Sequence, residues 1–147
     1  NAQVNAANIG THNIRKYHNV NCLIINESEL RHELRQRDGN IEEMAVTMQN
    51  MVSSKYIAVT QGKAGVFLIN SSNNSERCPG FAAQVVDKIG SGDALLALLS
   101  VCLYSNIDEK LSLFIGSLAA AQSVETVGNS VPVSKAKLLK IISHLLK

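Results

Sequence analysis

The 147 residues carry 14 basic and 12 acidic side chains for a formal charge of +2, and only 4% of them are aromatic. Charge so balanced, with so few rings on which bases could stack, speaks against a nucleic-acid partner. A chain of this length buries roughly 70% of the surface it would expose unfolded, enough for a core without disulfides, and no apolar run reaches the ~20 residues of a membrane span. Cys22, Cys78 and Cys102 lack the paired spacing of a zinc site and are expected as free thiols of a reducing cytoplasm. The chain starts at Asn1 without Met or a signal-peptide pattern, so a piece of a longer protein is expected.

In chain order, "NCLII" (21–25) is an apolar run between asparagines that suits a buried strand. "ESELRHELRQR" from Glu27 puts acids first and bases last, as a helix dipole favours, and "DGN" at 38–40 stops it. Apolar residues at 41, 44, 48 and 51 describe one face of a second helix. "YIAVT" (56–60) and "VFLIN" (66–70) are β-rich runs joined by the glycine turn "QGKAG". "SSNNSE" (71–76) reads as a polar loop, and "VV" at 85–86 as the strand-like lead into the next motif. Helical patterns follow at about 92–104, 108–126 and 134–146, the first of them a core helix around Ala94 to Leu103. Strand and helix alternate and no linker or repeat divides the chain, so one α/β domain with helices packed on a sheet is expected.

The chemistry concentrates in "DKIGSGDALLALL" (87–99). Gly90 and Gly92 allow a tight turn, and the helix that follows leaves its first N–H groups unpaired, a geometry that attracts phosphate. Asp93 is a negative charge where an anion would rest. Its productive role is to take a proton from an attacking hydroxyl while the turn's N–H groups stabilise the transferred phosphoryl oxygens. The plainer reading is that Asp93 only complements the helix N-terminus.

This stretch resembles the C-terminal signature of the ribokinase-like, or PfkB-type, carbohydrate kinases, usually Asp-Thr-x-Gly-Ala-Gly-Asp before a helix. Three more stretches match in the family's order. "NESE" (26–29) resembles its Asn-x-x-Glu motif, "VTQGKAG" (59–65) its Thr-x-Gly-x-x-Gly nucleotide turn, and "AAAQSVETVGNS" (119–130) its adenine-side helix and cation loop. The flavour is closest to heptose-phosphate kinases, some of them fused to a nucleotidyltransferase. The resemblance implies a three-layer α/β/α sandwich, of which this chain is the C-terminal portion.

Carried over, it implies Asp93 as catalytic base and the N–H groups of Gly90, Ser91 and Gly92 as the anion hole. Thr60, Gly62, Lys63 and Gly65 would follow the phosphates of ATP, and Ala120, Ala121 and Val124 would line the adenine. Asn26 and Glu29 would hold Mg2+ through water, with Asp87, Gly128 and Ser130 near a K+ ion. The partners implied are an adenine nucleotide and a sugar or sugar phosphate. Self-association is a further expectation, since exposed sheet edges invite covering.

The sequence departs from the pattern at Lys88, where Thr is usual, at Ser91 for Ala, and at Leu95 for an aromatic. Ser91 is tolerable because the hole uses backbone. Lys88 either pairs with substrate phosphate or disturbs the cation site. Each motif also has an ordinary reading: Asn26 and Glu29 as a helix capping box, Gly62 and Gly65 as a hairpin closure, the alanines as tight helix packing. His12, His18, His32 and His144 are scattered and receive no role.

Family members run to about twice this length, and the sugar-binding half is missing, so the fragment alone is expected to bind nucleotide weakly and transfer poorly. Asn5 to Tyr17 would be a helix left over from an interrupted unit. Two alternatives stand beside the kinase: a nucleotide-binding or assembly module without catalysis, and an unrelated α/β domain that holds another anion.

Overall fold

A computed structural model describes residues 13–145. They divide into two compact units, one ending at Arg77 and the other starting at Cys78.

The first unit is built on a four-stranded sheet whose strands lie side by side in sequence order. β1 (Cys22–Asn26) runs parallel to β2 (Tyr56–Thr60), which pairs antiparallel with β3 (Val66–Asn70). A parallel neighbour requires a long crossover, and α1 (Glu27–Leu34) and α2 (Ile41–Val52) supply it. Register puts Leu23, Ile57 and Ile69 in one row and Ile25, Val59 and Phe67 in the next. Met44, Ala45, Met48 and Val52 of α2 join these rows in one apolar cluster with Leu30 and Ile14. Ile24, Ala58 and Leu68, on the opposite sheet face, are buried as well. Withdrawal of both faces from water is why these strands read as continuous apolar runs rather than alternating ones.

Several expectations are corrected in this unit. α1 ends at Leu34 instead of running to Arg37. Arg35 adopts a left-handed conformation, and Arg31 Nη1 donates to the Arg37 carbonyl at 3.1 Å, drawing the chain back early. "SSNNSE" is only partly a loop. Asn70 Oδ1 accepts from Ser72 N–H (2.9 Å) and Asn74 N–H (3.0 Å), closing a tight turn into β4 (Ser75–Cys78). Of the helix expected over Asn5 to Tyr17, residues 5–12 lie outside those described; Ile14–Lys16 is one 3-10 turn that buries Ile14.

The second unit holds α3 (Ser91–Tyr104), α4 (Glu109–Ser123) and α5 (Lys135–Leu145). A short link capped by Asp108, whose Oδ1 accepts from Leu111 N–H at 3.0 Å, turns α3 back along α4. Leu95, Leu99 and Leu103 of α3 are buried, as are Leu113, Leu118 and Ala119 of α4. Gly116 lets the two helices approach closely: a Cβ there would lie 3.1 Å from Leu99 Cβ and 2.9 Å from Leu95 Cδ1. Val85 and Val86 form no strand; they lie in a loop and are 46% and 49% exposed. α4 stops at Ser123, short of the expected 126, and Val127–Asn129 forms a separate 3-10 turn. No helix among the described residues is long and apolar enough to cross a membrane, and the three cysteines are free.

Candidate functional site

The expected site residues fall in both units. In the first, Asn26 and Thr60 are register partners at the C-terminal ends of parallel strands β1 and β2, the position where open α/β sheets receive ligands. Asn26 caps α1. Its Oδ1 accepts from Glu29 N–H at 2.8 Å, and Glu29 Oε2 accepts from Asn26 N–H at 3.1 Å, a complete capping box. The ordinary reading of "NESE" is therefore realised. Each of these oxygens accepts one backbone N–H, and the pair fits a magnesium ion held through water. Among the described residues, no three His, Cys, Asp or Glu side chains gather round a point that could hold a metal.

Thr60 leads into a turn closed by Gln61 N–H donating to the Gly65 carbonyl at 2.8 Å. Gly62 at φ 59° and Gly65 at φ 95° occupy backbone regions that a side chain disfavours. Gly62 and Lys63 are exposed at the tip, and Gly65 is buried at its base.

In the second unit the Asp87–Gly90 loop runs into the N-terminus of α3. Gly90, at φ 83°, makes the left-handed step that starts the helix. The first four N–H groups of a helix, here Gly90 to Asp93, have no carbonyl one turn earlier to bind. Ser91 turns back on the loop, its Oγ donating to the Lys88 carbonyl at 3.0 Å and its N–H lying 3.4 Å from the same oxygen. That engagement distinguishes Ser91 from the other expected anion-hole donors. Asp93 is exposed in the first turn of α3, where the macrodipole favours a carboxylate.

Asp87 joins two segments. Its Oδ1 accepts from Ile89 N–H at 3.0 Å and its Oδ2 from Gly128 N–H at 2.9 Å. These hydrogen bonds, Ile89 first and Gly128 second, hold its carboxyl below the usual carboxylate range. The Val124 carbonyl accepts from Val86 N–H (2.8 Å) and Asp87 N–H (3.2 Å), fastening the same loop to the end of α4. Ala120 and Ala121 are half-buried one turn before, and Ser130 is exposed beyond Gly128. The second unit thus brings Asp87, Val124 and Gly128 together, as the first does Asn26, Glu29 and Thr60.

Sequence reasoning missed two contacts that shape these loops. Gln122 Oε1 accepts from Ser134 N–H at 3.0 Å, tying α4 to the start of α5. Glu27 and Gln61 are joined by a side-chain hydrogen bond of 2.8 Å. Partners 34 residues apart leave no local signal for that bond.

Comparisons with known proteins bear on the fold and the family. A model described as pfkB family carbohydrate kinase matches residues 9–136. Bifunctional protein HldE of Koribacter versatilis is 29% identical over 131 residues, covering 87% of this chain and 26% of that protein. Its namesake in a Bradyrhizobium species is 27% identical over 135 residues, covering 90% and 28%. The chain thus spans about a quarter of the length of these relatives. Among solved structures, Escherichia coli phosphofructokinase-2 superposes with a TM-score of 0.75 at 18% identity, covering 88% of this chain and 42% of that one. Thermotoga maritima ribokinase superposes with a TM-score of 0.72 at 23% identity, covering 84% and 42%. The fold is ribokinase-like α/β, as the motif order implies, and the chain belongs to the pfkB family of carbohydrate kinases.

Proposed function

We propose that this chain is the nucleotide-binding, catalytic portion of an ATP-dependent kinase that phosphorylates a hydroxyl of a sugar or sugar phosphate. The observation that carries the reading is the double hydrogen bond of Asp87 to Ile89 and Gly128. It fixes the loop that delivers Gly90 to Asp93 to the start of α3 and binds that loop to the turn at Gly128. Family membership supports the reaction class, and a ribokinase of the same fold from Arabidopsis thaliana was solved with ribose and ATP.

In this mechanism the acceptor hydroxyl attacks the γ-phosphorus of ATP. Asp93 accepts the hydroxyl proton as the new O–P bond forms, the bond from the γ-phosphorus to its bridging oxygen breaks, and ADP leaves. The helix-start N–H groups, those of Gly90 and Gly92 foremost, stabilise the charge on the transferred oxygens. Thr60, Gly62, Lys63 and Gly65 serve the nucleotide phosphates, with Lys63 adding positive charge. Ala120, Ala121 and Val124 line the adenine. Magnesium, reached through water from Asn26 and Glu29, would neutralise phosphate charge. Asp87, Gly128 and Ser130 would hold a K+ ion, with Asp87, whose two oxygens each accept a backbone N–H, supplying negative charge to it.

The reading includes a cytoplasmic setting, supported by the free thiols, and a single catalytic portion spanning both compact units of a longer chain. A fusion to a second activity fits relatives named bifunctional protein HldE, and self-association would cover the edge of the sheet. The test is ADP release from Mg·ATP by the full-length protein over a panel of sugars and sugar phosphates, heptose phosphates first. One acceptor should support turnover, and Asp93→Asn should lower it by about 10²- to 10⁴-fold. Nucleotide binding with no acceptor phosphorylated would favour the non-catalytic module instead.

A further inference from the structure

Glu27 is not among the residues the family resemblance assigns, yet both its carboxylate oxygens are engaged by other side chains. Oε1 accepts from Arg31 Nε at 3.0 Å and Nη2 at 2.8 Å, and Oε2 accepts from Gln61 Nε2 at 2.8 Å. Arg31 is itself fixed by the Arg37 carbonyl at 3.1 Å. An i,i+4 ion pair alone adds little to a helix, so the informative partner is Gln61.

Gln61 stands at the root of the Thr60–Gly65 turn. Its backbone N–H closes the turn on the Gly65 carbonyl at 2.8 Å, while its side chain reaches the first turn of α1. Asn26 and Thr60 are the last register partners of β1 and β2. The residues that follow them, Glu27 and Gln61, continue the connection through side chains where backbone pairing stops. A turn with two glycines at positive φ has little stiffness of its own, so an anchor at its root matters. Arg31 also offsets the negative charge that Glu27 would bring near a phosphate-binding turn.

We infer that Glu27 is a positioning residue: through Gln61 it fixes the Thr60–Gly65 turn against the start of α1 and so sets the affinity of that turn for nucleotide phosphate. The ligand in this inference rests on the kinase reading; the anchoring rests on geometry alone. The test uses the full-length protein with Gln61→Leu, Glu27→Leu, Glu27→Gln and the double Leu variant, each confirmed folded by circular dichroism. Mg·ADP affinity is read by calorimetry and backbone amide exchange of residues 61–65 by mass spectrometry.

Gln61→Leu and Glu27→Leu should each weaken Mg·ADP by at least about tenfold, as loss of a hydrogen bond to a charged group implies. The double variant should be no worse than either single one. Glu27→Gln keeps an acceptor oxygen and should restore most of the affinity. Unchanged affinity in both Leu variants, additive losses, or Glu27→Gln as damaging as Glu27→Leu overturns the inference. If the unmodified full-length protein takes up no Mg·ADP, the kinase reading fails separately. Amide exchange then decides the anchoring: faster exchange over residues 61–65 in Gln61→Leu sustains it, and unchanged exchange overturns it.

Discussion

Gly128 donates its N–H to Oδ2 of Asp87 at 2.9 Å across 41 residues of sequence, making one carboxylate the joint between the loop before α3 and the turn after α4. Asp87→Ala removes the acceptors of both the Ile89 and the Gly128 amide. Exchange at these two amides should accelerate while that of the α3 and α4 interiors stays as it was. Mg·ADP affinity should fall about tenfold, the scale of a hydrogen bond to a charged group. Asp87→Asn, with one acceptor oxygen left, should fall between. Equal exchange in all three proteins would show that the loop is held by other contacts.

What could be read from the sequence was whatever a local pattern encodes. β1, β2 and β3 were legible because burial on both sheet faces demands unbroken apolar runs, and α2 because its apolar spacing matches one helix face. β4 was not, since Ser75, Glu76 and Arg77 carry no apolar alternation; Arg77 instead packs over the Phe67 ring and pairs with Glu42. Val85 and Val86 misled for the opposite reason, being β-branched residues in an exposed loop. The glycine turns at Gly62 and Gly90 announced themselves through residue type. Glu27–Gln61 and Gln122–Ser134 did not, because contacts between residues distant in sequence leave no trace in spacing.

Gly116 tests the helix pair of the second unit. A Cβ at this position would meet Leu95 Cδ1 at 2.9 Å, Leu99 Cβ at 3.1 Å and the Leu95 carbonyl oxygen at 3.4 Å. The first of these can shift, but the other two are fixed to helix backbone. Gly116→Val should therefore cost about 1–3 kcal/mol by overpacking and lower Tm by several degrees in a thermal melt. A Tm equal to that of the unmodified protein would mean that α3 and α4 separate at no cost.

The thiols should be sluggish at neutral pH. Burial pushes Cys22 up to about 11, and burial likewise raises Cys78 and Cys102. Since the thiolate is the nucleophile, Cys22 at pH 7.5 should react with iodoacetamide roughly 10²- to 10³-fold more slowly than a free cysteine. Its rate should climb about tenfold per pH unit until the thiol ionises. Peptide mapping of the labelled protein measures this, and labelling of Cys22 at the rate of free cysteine would contradict it.

In the proposed mechanism the Gly90–Asp93 turn cradles phosphate while Asp93 takes the proton. The most direct measurement is calorimetric titration of the chain with Mg·ATP, beside Gly92→Val and Asp93→Asn. Binding by the unmodified chain, abolished in Gly92→Val and retained in Asp93→Asn, is the predicted result, because the side chain added at Gly92 obstructs the cradle whereas Asp93→Asn removes only a base. Binding that survives Gly92→Val unchanged, or that disappears with Asp93→Asn, would contradict the assignment of this turn.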